Sequence, residues 1–339
     1  MSLIFVSQED GPVSPFVVSR LAVAMLVTCL AIAEHAGAQP WPVRTVRLVV
    51  PSPSGAGIDV VARLLAQRLA IQWGKPVIVD NRPGASSIIG AETVARSAPD
   101  GHTLLFASDS TFTLNPHLYA KLPYDPIGDF APVVQIVTFH QLLVAHPSLG
   151  ANTLGELIAL AKANPGAITY ASWGLGSQGH LLSELVKYKA SIDLLHVPYK
   201  GFAPALNGVV AGEAMLTWAG VFSTRALIRG GRLRALGLAG PKRTGFLPEV
   251  PTFAEMGMPD VDYTIWFGVF APAATPVDVI ARIARDFVRL LHDPEVREKE
   301  LLPKAYEPSG ISANEFAMVI LRELAQRATM VKISGAVPQ

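Results

Sequence analysis

From Val43 onward the apolar and polar positions repeat one grammar: a short apolar run, a turn rich in glycine or serine, then a stretch with helical period. Val46 to Val50, Val77 to Val79 and Thr103 to Ala107 are runs of strand length with few polar interruptions, which predicts strands buried on both faces. Ile58 to Trp73 and Ile88 to Ser97 return to apolar residues every three or four positions and predict helices, the second stopped by Pro99-Asp100-Gly101. Strand and helix alternating in this way predict an α/β fold built on a mainly parallel, doubly wound sheet.

After Pro147 the grammar restarts. The pattern predicts helix Thr153 to Ala163, strand Ile168 to Ser172, helix Gln178 to Lys189, strand Leu194 to Pro198, helix Ala203 to Ala211 and strand Met215 to Trp218. Val133 to Ala145 joins the two units. The chain then runs through Arg234 to Leu238 and Trp266 to Phe270 to two last helices, Pro276 to Leu291 and Ala313 to Lys332, which have no strands of their own to cover. These helices are expected to pack back on the first unit. That organisation puts residues 39–138 and 265–339 in one lobe and 139–264 in the other, with two hinge crossings and a cleft between them, where ligands of such sheets prefer to sit.

Composition narrows the possibilities. The chain has 339 residues, half of them hydrophobic and 16% charged, enough to bury more than one core. A formal charge of +1, with no Lys/Arg-rich run, argues against a nucleic-acid partner. At the N-terminus Arg20 precedes the apolar run Leu21 to Ala33, and Ala36-Gly37-Ala38 supplies a small-x-small site. Residues 1–38 are therefore expected to be a signal peptide cut after Ala38, placing the mature protein in the periplasm. Removing Arg20, Glu9, Asp10 and Glu34 leaves 27 basic and 24 acidic residues, a formal +3, which suits an anionic ligand. The sole cysteine, Cys29, lies inside that segment, so no disulfide, thiol nucleophile or thiolate metal site is expected in the mature chain.

The richest candidate chemistry is in SWGLGSQGH, Ser172 to His180, where Gly174, Gly176 and Gly179 fall at the spacing G-x-G-x-x-G. A dinucleotide fingerprint also needs an acidic residue at the end of the next strand. Asp193 precedes that strand, and its far end reads Tyr199-Lys200-Gly201. A nucleophile elbow around Ser177 fails too, because Leu175 replaces the first glycine and His180 is three residues away on the same incipient helix. What remains is an anion site made of backbone N–H groups at a helix N-terminus. The loop Val49 to Asp59 offers a second one, with Asp59 placed to cap its helix or to meet a ligand, and Ser108-Asp109-Ser110 ends the third strand. Eight scattered histidines without an H-x-x-x-H pair, and no nominated acid–base carboxylates, leave metal sites and catalysis without support.

Several motifs stand in a fixed order: Trp41-Pro42 and RLVVP; Asp80-Asn81-Arg82-Pro83-Gly84-Ala85; Ala98-Pro99-Asp100-Gly101-His102-Thr103-Leu104-Leu105; Leu122-Pro123-Tyr124-Asp125; Asp129-Phe130-Ala131-Pro132-Val133; His196-Val197-Pro198-Tyr199-Lys200-Gly201; Leu247-Pro248-Glu249-Val250-Pro251-Thr252. In this the chain resembles the Bug-type solute receptors of tripartite tricarboxylate transporters. The resemblance covers essentially the whole mature chain and implies a two-lobed Venus-flytrap receptor, not an enzyme. Such a receptor works without cofactor or metal, as a monomer that closes on a small organic carboxylate and delivers it to membrane permease subunits. By matching positions, contacts fall on Ser54, Gly55, Ala56 and Ile58, on Ser108 and Asp109, on Gly174, Ser177 and His180, and on Tyr199, unless Tyr199 only packs beneath the cleft.

The departures concern the ligand. The first loop commonly reads P-P-G-G-G-T-D in the family; here Ser54, Ala56 and Ile58 replace a proline, a glycine and the threonine, making the floor more apolar. Ala219 stands where an acidic residue is usual, which disfavours an amino-acid ligand. Trp173 and Trp218 wall a flat or aromatic acid if they face the cleft, and say nothing if they pack inward. The nearest alternative functions are an orphan sensor that presents ligand to a membrane signalling protein, and, from the glycine spacing alone, a nucleotide-dependent α/β enzyme.

Overall fold

Among the described residues ten strands build a mixed sheet whose ends are parallel and whose centre is antiparallel. The structure is a computed structural model that describes residues 41–336. The expected signal peptide, its cleavage site and Cys29 lie outside the described residues. All the described strands and helices belong to one compact unit, Arg44–Gln339.

In chain order the strands and α-helices are β1 (Val46–Val50), α1 (Gly57–Trp73), β2 (Val77–Asn81), α2 (Ile88–Ala95), β3 (Thr103–Ser108), α3 (Asp109–Thr113), α4 (Asn115–Leu118) and β4 (Phe130–Ala145). Then come α5 (Leu154–Ala163), β5 (Thr169–Ser172), α6 (Gln178–Ala190), β6 (Leu195–Pro198), α7 (Phe202–Val210), β7 (Leu216–Gly220), α8 (Val221–Arg229) and β8 (Arg234–Ala239). The chain ends with β9 (Thr264–Pro272), α9 (Val277–His292), β10 (Glu307–Pro308) and α10 (Ala313–Ser334).

The sheet runs β2-β1-β3-β9-β4-β7-β5-β6. β4 is the hinge of this order. Its first part pairs with β9 and its last five residues pair with β7 and β8, so a single strand of 16 residues belongs to two regions. The first region holds β1 to β3, β9 and β10; the second holds β5 to β8. Continuous apolar runs give the buried strands: Leu48, Val49 and Val50 of β1 and Leu104 to Ala107 of β3 are sealed from solvent. Each such Val or Leu contributes about 1.5–3 kcal/mol relative to exposure. β2 differs from its sequence reading. It is an edge strand with Ile78 exposed, because a run of apolar residues does not say whether a neighbour covers its outer face.

Helix ends follow local chemistry. α1 buries Ile58, Val61, Ala62, Leu65, Ala66 and Leu69, one face at helical spacing, and stops at Gly74 in the left-handed region. α10 starts with a capping box, in which the Ser312 hydroxyl accepts from the Glu315 N–H and the Glu315 carboxylate accepts from the Ser312 N–H. α10 does more than pack back on the first unit. Phe316 and Ile320 join the core of the first region, while Met330 and Val331, three turns on, join that of the second. Among the described residues no helix is long and apolar enough to cross a membrane.

Candidate functional site

A cavity of about 950 Å³ opens where the carboxyl ends of strands from both regions turn into helices. The helices of eight or more residues that start at its wall include α1 with Gly57 and Ile58, α6 with Ser177 and Gln178, α7 with Phe202, and α8 with Val221 to Ser223. No side chain caps α1 or α8, so their first N–H groups stay open. At α8 the Ser223 and Thr224 hydroxyls both donate to the Gly220 carbonyl, which fixes the turn without covering those N–H groups. Positive dipole ends thus converge on one space.

The loops before these helices are held from behind. Asp59 is buried and accepts from the Gly55 N–H at 2.8 Å, Asn81 at 2.8 Å and Arg63 at 3.0 Å. Burial alone would raise its pKa; the bonds from Arg63, Gly55 and Asn81 outweigh that and hold the carboxyl below the usual range. Asn81 also donates to the Ser52 carbonyl, tying the loop to β2. Across the cavity Gly174 and Gly176 take φ of 122° and 73°. The Ser177 hydroxyl donates to the Gly174 carbonyl at 2.6 Å while accepting from the His180 N–H, so it caps α6.

Of the residues nominated from sequence, Ile58, Ser108, Asp109, Trp173, Ser177 and His180 line the cavity. Ser54, Gly55 and Ala56 form the turn just before α1, and Asp59 anchors it through its own carboxylate. Gly174 supplies the carbonyl that ties the second loop. Tyr199 donates to Glu213 at 3.2 Å, away from the cavity lining. Trp218 packs inward: fully buried, its ring 5.3 Å from Phe253 and its indole N–H donating to Ser183. Ala219, its neighbour on β7, is buried on the opposite face in another core cluster. Trp173 faces the cavity instead, its ring edge-on to Phe202 at 5.6 Å.

Sequence reading missed the floor and part of the rim. Phe139 and Gln141 of β4, Ile265 and Phe267 of β9, and Tyr306 all line the cavity. Ser86 and Ser87, also in the lining, follow Ala85 through three successive positive φ values of 43°, 52° and 76°. Backbone held there by the Tyr119–Ser86 bond at 2.6 Å and the Asn115–Ser86 bond at 2.8 Å is the kind of stored strain found at ligand clamps. The serines following Gly84 were the only visible signal.

The electrostatics are mostly neutral. Lys304 reaches the lining, but its ammonium donates to the carbonyl and carboxylate of Glu300. Asp109 accepts from Tyr263 at 2.9 Å and from Gln178 at 3.3 Å, and complete burial pushes its pKa up to about 6. Behind it the Arg327 guanidinium lies 3.4 Å from the centre of the Tyr263 ring and 3.9 Å from Glu323. Burial drives the Glu323 carboxyl up to about 7, although Trp266 donates to it at 2.8 Å. On the other side His180 is 4% exposed, with Nδ1 accepting from the Gly176 N–H, which leaves the proton on Nε2. Its ring lies 4.7 Å from His196, which is pushed down to about 4 by burial and by His180. Among the described residues no group of three or more His, Cys, Asp or Glu could hold a metal ion. The arrangement can seat an anion on neutral donors against an apolar floor.

Comparison with known proteins agrees with this geometry. The family described as the tripartite tricarboxylate transporter family receptor matches residues 61–335. Protein BugT of Bordetella pertussis is 33% identical over 315 residues, 93% of this chain and 96% of its own length. Among solved structures, Rpa4515 of R. palustris with adipate superposes at a TM-score of 0.78 with 34% identity, covering 88% of this chain and all of that one. The periplasmic binding protein BugD superposes at 0.74 with 30% identity, over 88% of this chain and all of that one.

Proposed function

The chain belongs to the tripartite tricarboxylate transporter receptor family, and from that premise we propose that it captures a small organic carboxylate, dicarboxylic or aromatic, and delivers it to membrane permease subunits. It binds and releases without chemistry, as a monomer, in the periplasm. Residues 39–138 with 265–339 form one lobe and 139–264 the other, and the two close on the ligand about β4 and the start of β9.

The observation that carries this reading is the convergence of the α1, α6 and α8 N-termini on a cavity whose one lysine is already paired. Neutral N–H donors at helix starts seat carboxylates well, and they release them readily because no buried ion pair must be broken. The adipate held by Rpa4515 supports the ligand class.

A thermal-shift screen against mono-, di- and tricarboxylates, aromatic acids and amino acids tests it. The true ligand should stabilise the protein by roughly 3–4 kcal/mol at 100 to 1,000 times Kd. Stabilisation by a nucleotide and by no organic acid overturns the proposal. N-terminal sequencing of the exported protein should begin at Gln39.

A further inference from the structure

Phe139 and Gln141 stand two residues apart on β4, so both side chains leave the same face of that strand; Ile265 and Phe267 do so on β9, its antiparallel neighbour. Tyr306, immediately before β10, closes over them. Its ring lies 5.2 Å from Phe139 and 5.7 Å from Phe267, and those two meet edge-on at 5.1 Å. The cavity floor is therefore a set of aromatic edges and faces. On the opposite wall Phe222 is 53% exposed, and Trp173 and Phe202 stand together.

Two polar groups on this floor have no hydrogen-bond partner among the described residues. Gln141 is 5% exposed, and its amide oxygen is sealed and unbonded. Its register partner on β7 is Gly220, the residue from which α8 starts. The oxygen is the sealed end, so the NH₂ is the end of this lining residue that can donate to an anion. The Tyr306 hydroxyl rests on Gly57 at the start of α1, close enough that a Cβ there would collide with it. It too is without a partner.

Resting on the receptor reading above, we infer that this cavity selects an aromatic carboxylate. The ring lies on Phe139, Phe267 and Tyr306, and the carboxylate is taken by the Gln141 amide and the open N–H groups of α8. The Tyr306 hydroxyl, at the α1 end, meets a second oxygen on the ring. An aliphatic diacid would leave the rings of the floor and of Phe222 without a flat partner, losing the geometric preference that aromatic pairs add to simple burial.

Calorimetric titration of the purified protein with benzoate, 4-hydroxybenzoate, adipate and citrate tests this. The aromatic acids should bind about tenfold or more tighter than adipate, and Gln141→Leu, similar in volume, should weaken benzoate by about tenfold. Tyr306→Phe, which deletes one hydroxyl and keeps the ring, should lower the affinity for 4-hydroxybenzoate relative to that for benzoate by about fivefold. Adipate or citrate binding as tightly as the aromatic acids overturns the inference and leaves the receptor reading standing. So does an unchanged 4-hydroxybenzoate to benzoate ratio in Tyr306→Phe, a variant whose folding a melting curve checks independently. If no carboxylate binds the wild-type protein, both readings fall together.

Discussion

Asp109 lines the cavity from the first region and His180 from the second, and what stands behind each is different. Behind Asp109 is buried charge: Tyr263, the Arg327 guanidinium stacked on it, and Glu323, held in turn by the Trp266 indole. Behind His180 are uncharged rings with one ion pair at their edge, where the Tyr170 hydroxyl donates to Glu184 and Lys187 lies 3.0 Å from that carboxylate. His196 stacks on Tyr170 at 4.8 Å and shares a 2.7 Å bond with the Ser172 hydroxyl, which also accepts from the Gly174 N–H. The two walls are supported by different means. The first depends on ions that the interior tolerates only together; the second depends on two histidines staying uncharged. Acid therefore pulls the two walls in opposite directions, and that difference can be measured.

Arg327→Met should have the largest effect. It leaves Asp109 and Glu323 buried without their cation, a loss of about 3–5 kcal/mol at pH 8 by denaturant unfolding. The sign with pH is fixed by the raised carboxyl pKa values. Groups at about 6 and about 7 when folded, against ordinary values of 3.8 and 4.5, favour the folded state while protonated and lose that contribution as pH rises through the folded values. The variant should accordingly recover stability on titration from pH 8 to pH 5. A loss equal at both pH values would mean that Arg327 acts through packing alone.

His196 contributes the opposite slope to the wild type, and His196→Gln should remove it. The histidine is pushed down to about 4 from an ordinary 6.5, so the folded state holds fewer protons than the unfolded one between those values. Wild type should lose stability as pH falls through that window, whereas the variant should lack that component. The difference between them should change by on the order of 1–2 kcal/mol from pH 7 to pH 4, reduced from the full shift because the ring is partly exposed. No change would place His196 outside the support of the second wall. Ser177→Leu, which fills the start of α6, should cost about 1 kcal/mol as a lost cap and abolish carboxylate binding in the same titration.

How much of this could be read along the chain depends on how local the signal is. β1, β3, α1 and α6 emerge within about two residues of their patterns, since runs and periods are local properties. The starts of α1 and α6 were visible as candidate anion loops for the same reason. β4 read as a connection, because a long strand that changes partners midway carries no turn residue to announce it. α3 and α8 went unseen as well: one is five residues long, and the polar Ser223, Thr224 and Arg225 blur the apolar period of the other. The floor was the least legible part. Phe139, Phe267 and Tyr306 are more than 120 positions apart at the extremes, and the pairing of β4 with β9 and with β10 brings them together. Trp173 and Trp218 look alike in sequence, yet only the first faces the cavity, because Trp218 projects from the β7 face that packs against Ser183 and Phe253.

The side-chain bond from the first turn of α6 to Asp109 should be worth the least. Gln178, the first residue of α6, donates across the cavity to the Asp109 carboxylate at 3.3 Å. These are long bonds on a partly buried side chain, and Asp109 keeps Tyr263 when they are removed, so Gln178→Ala should cost about 0.5–1.5 kcal/mol. Its consequence for the comparison is larger than its energy. With Gln178 gone, the second region loses its one side-chain bond to the charged wall among the described residues of the cavity lining. The acid sensitivity of Arg327→Met and that of His196→Gln should then add independently in double variants, because coupling needs a shared partner. Unfolding measured at pH 5 and pH 8 in the Gln178→Ala background decides this. A residual interaction above about 0.5 kcal/mol would mean that the walls communicate through α10, which buries Phe316 in one core and Val331 in the other.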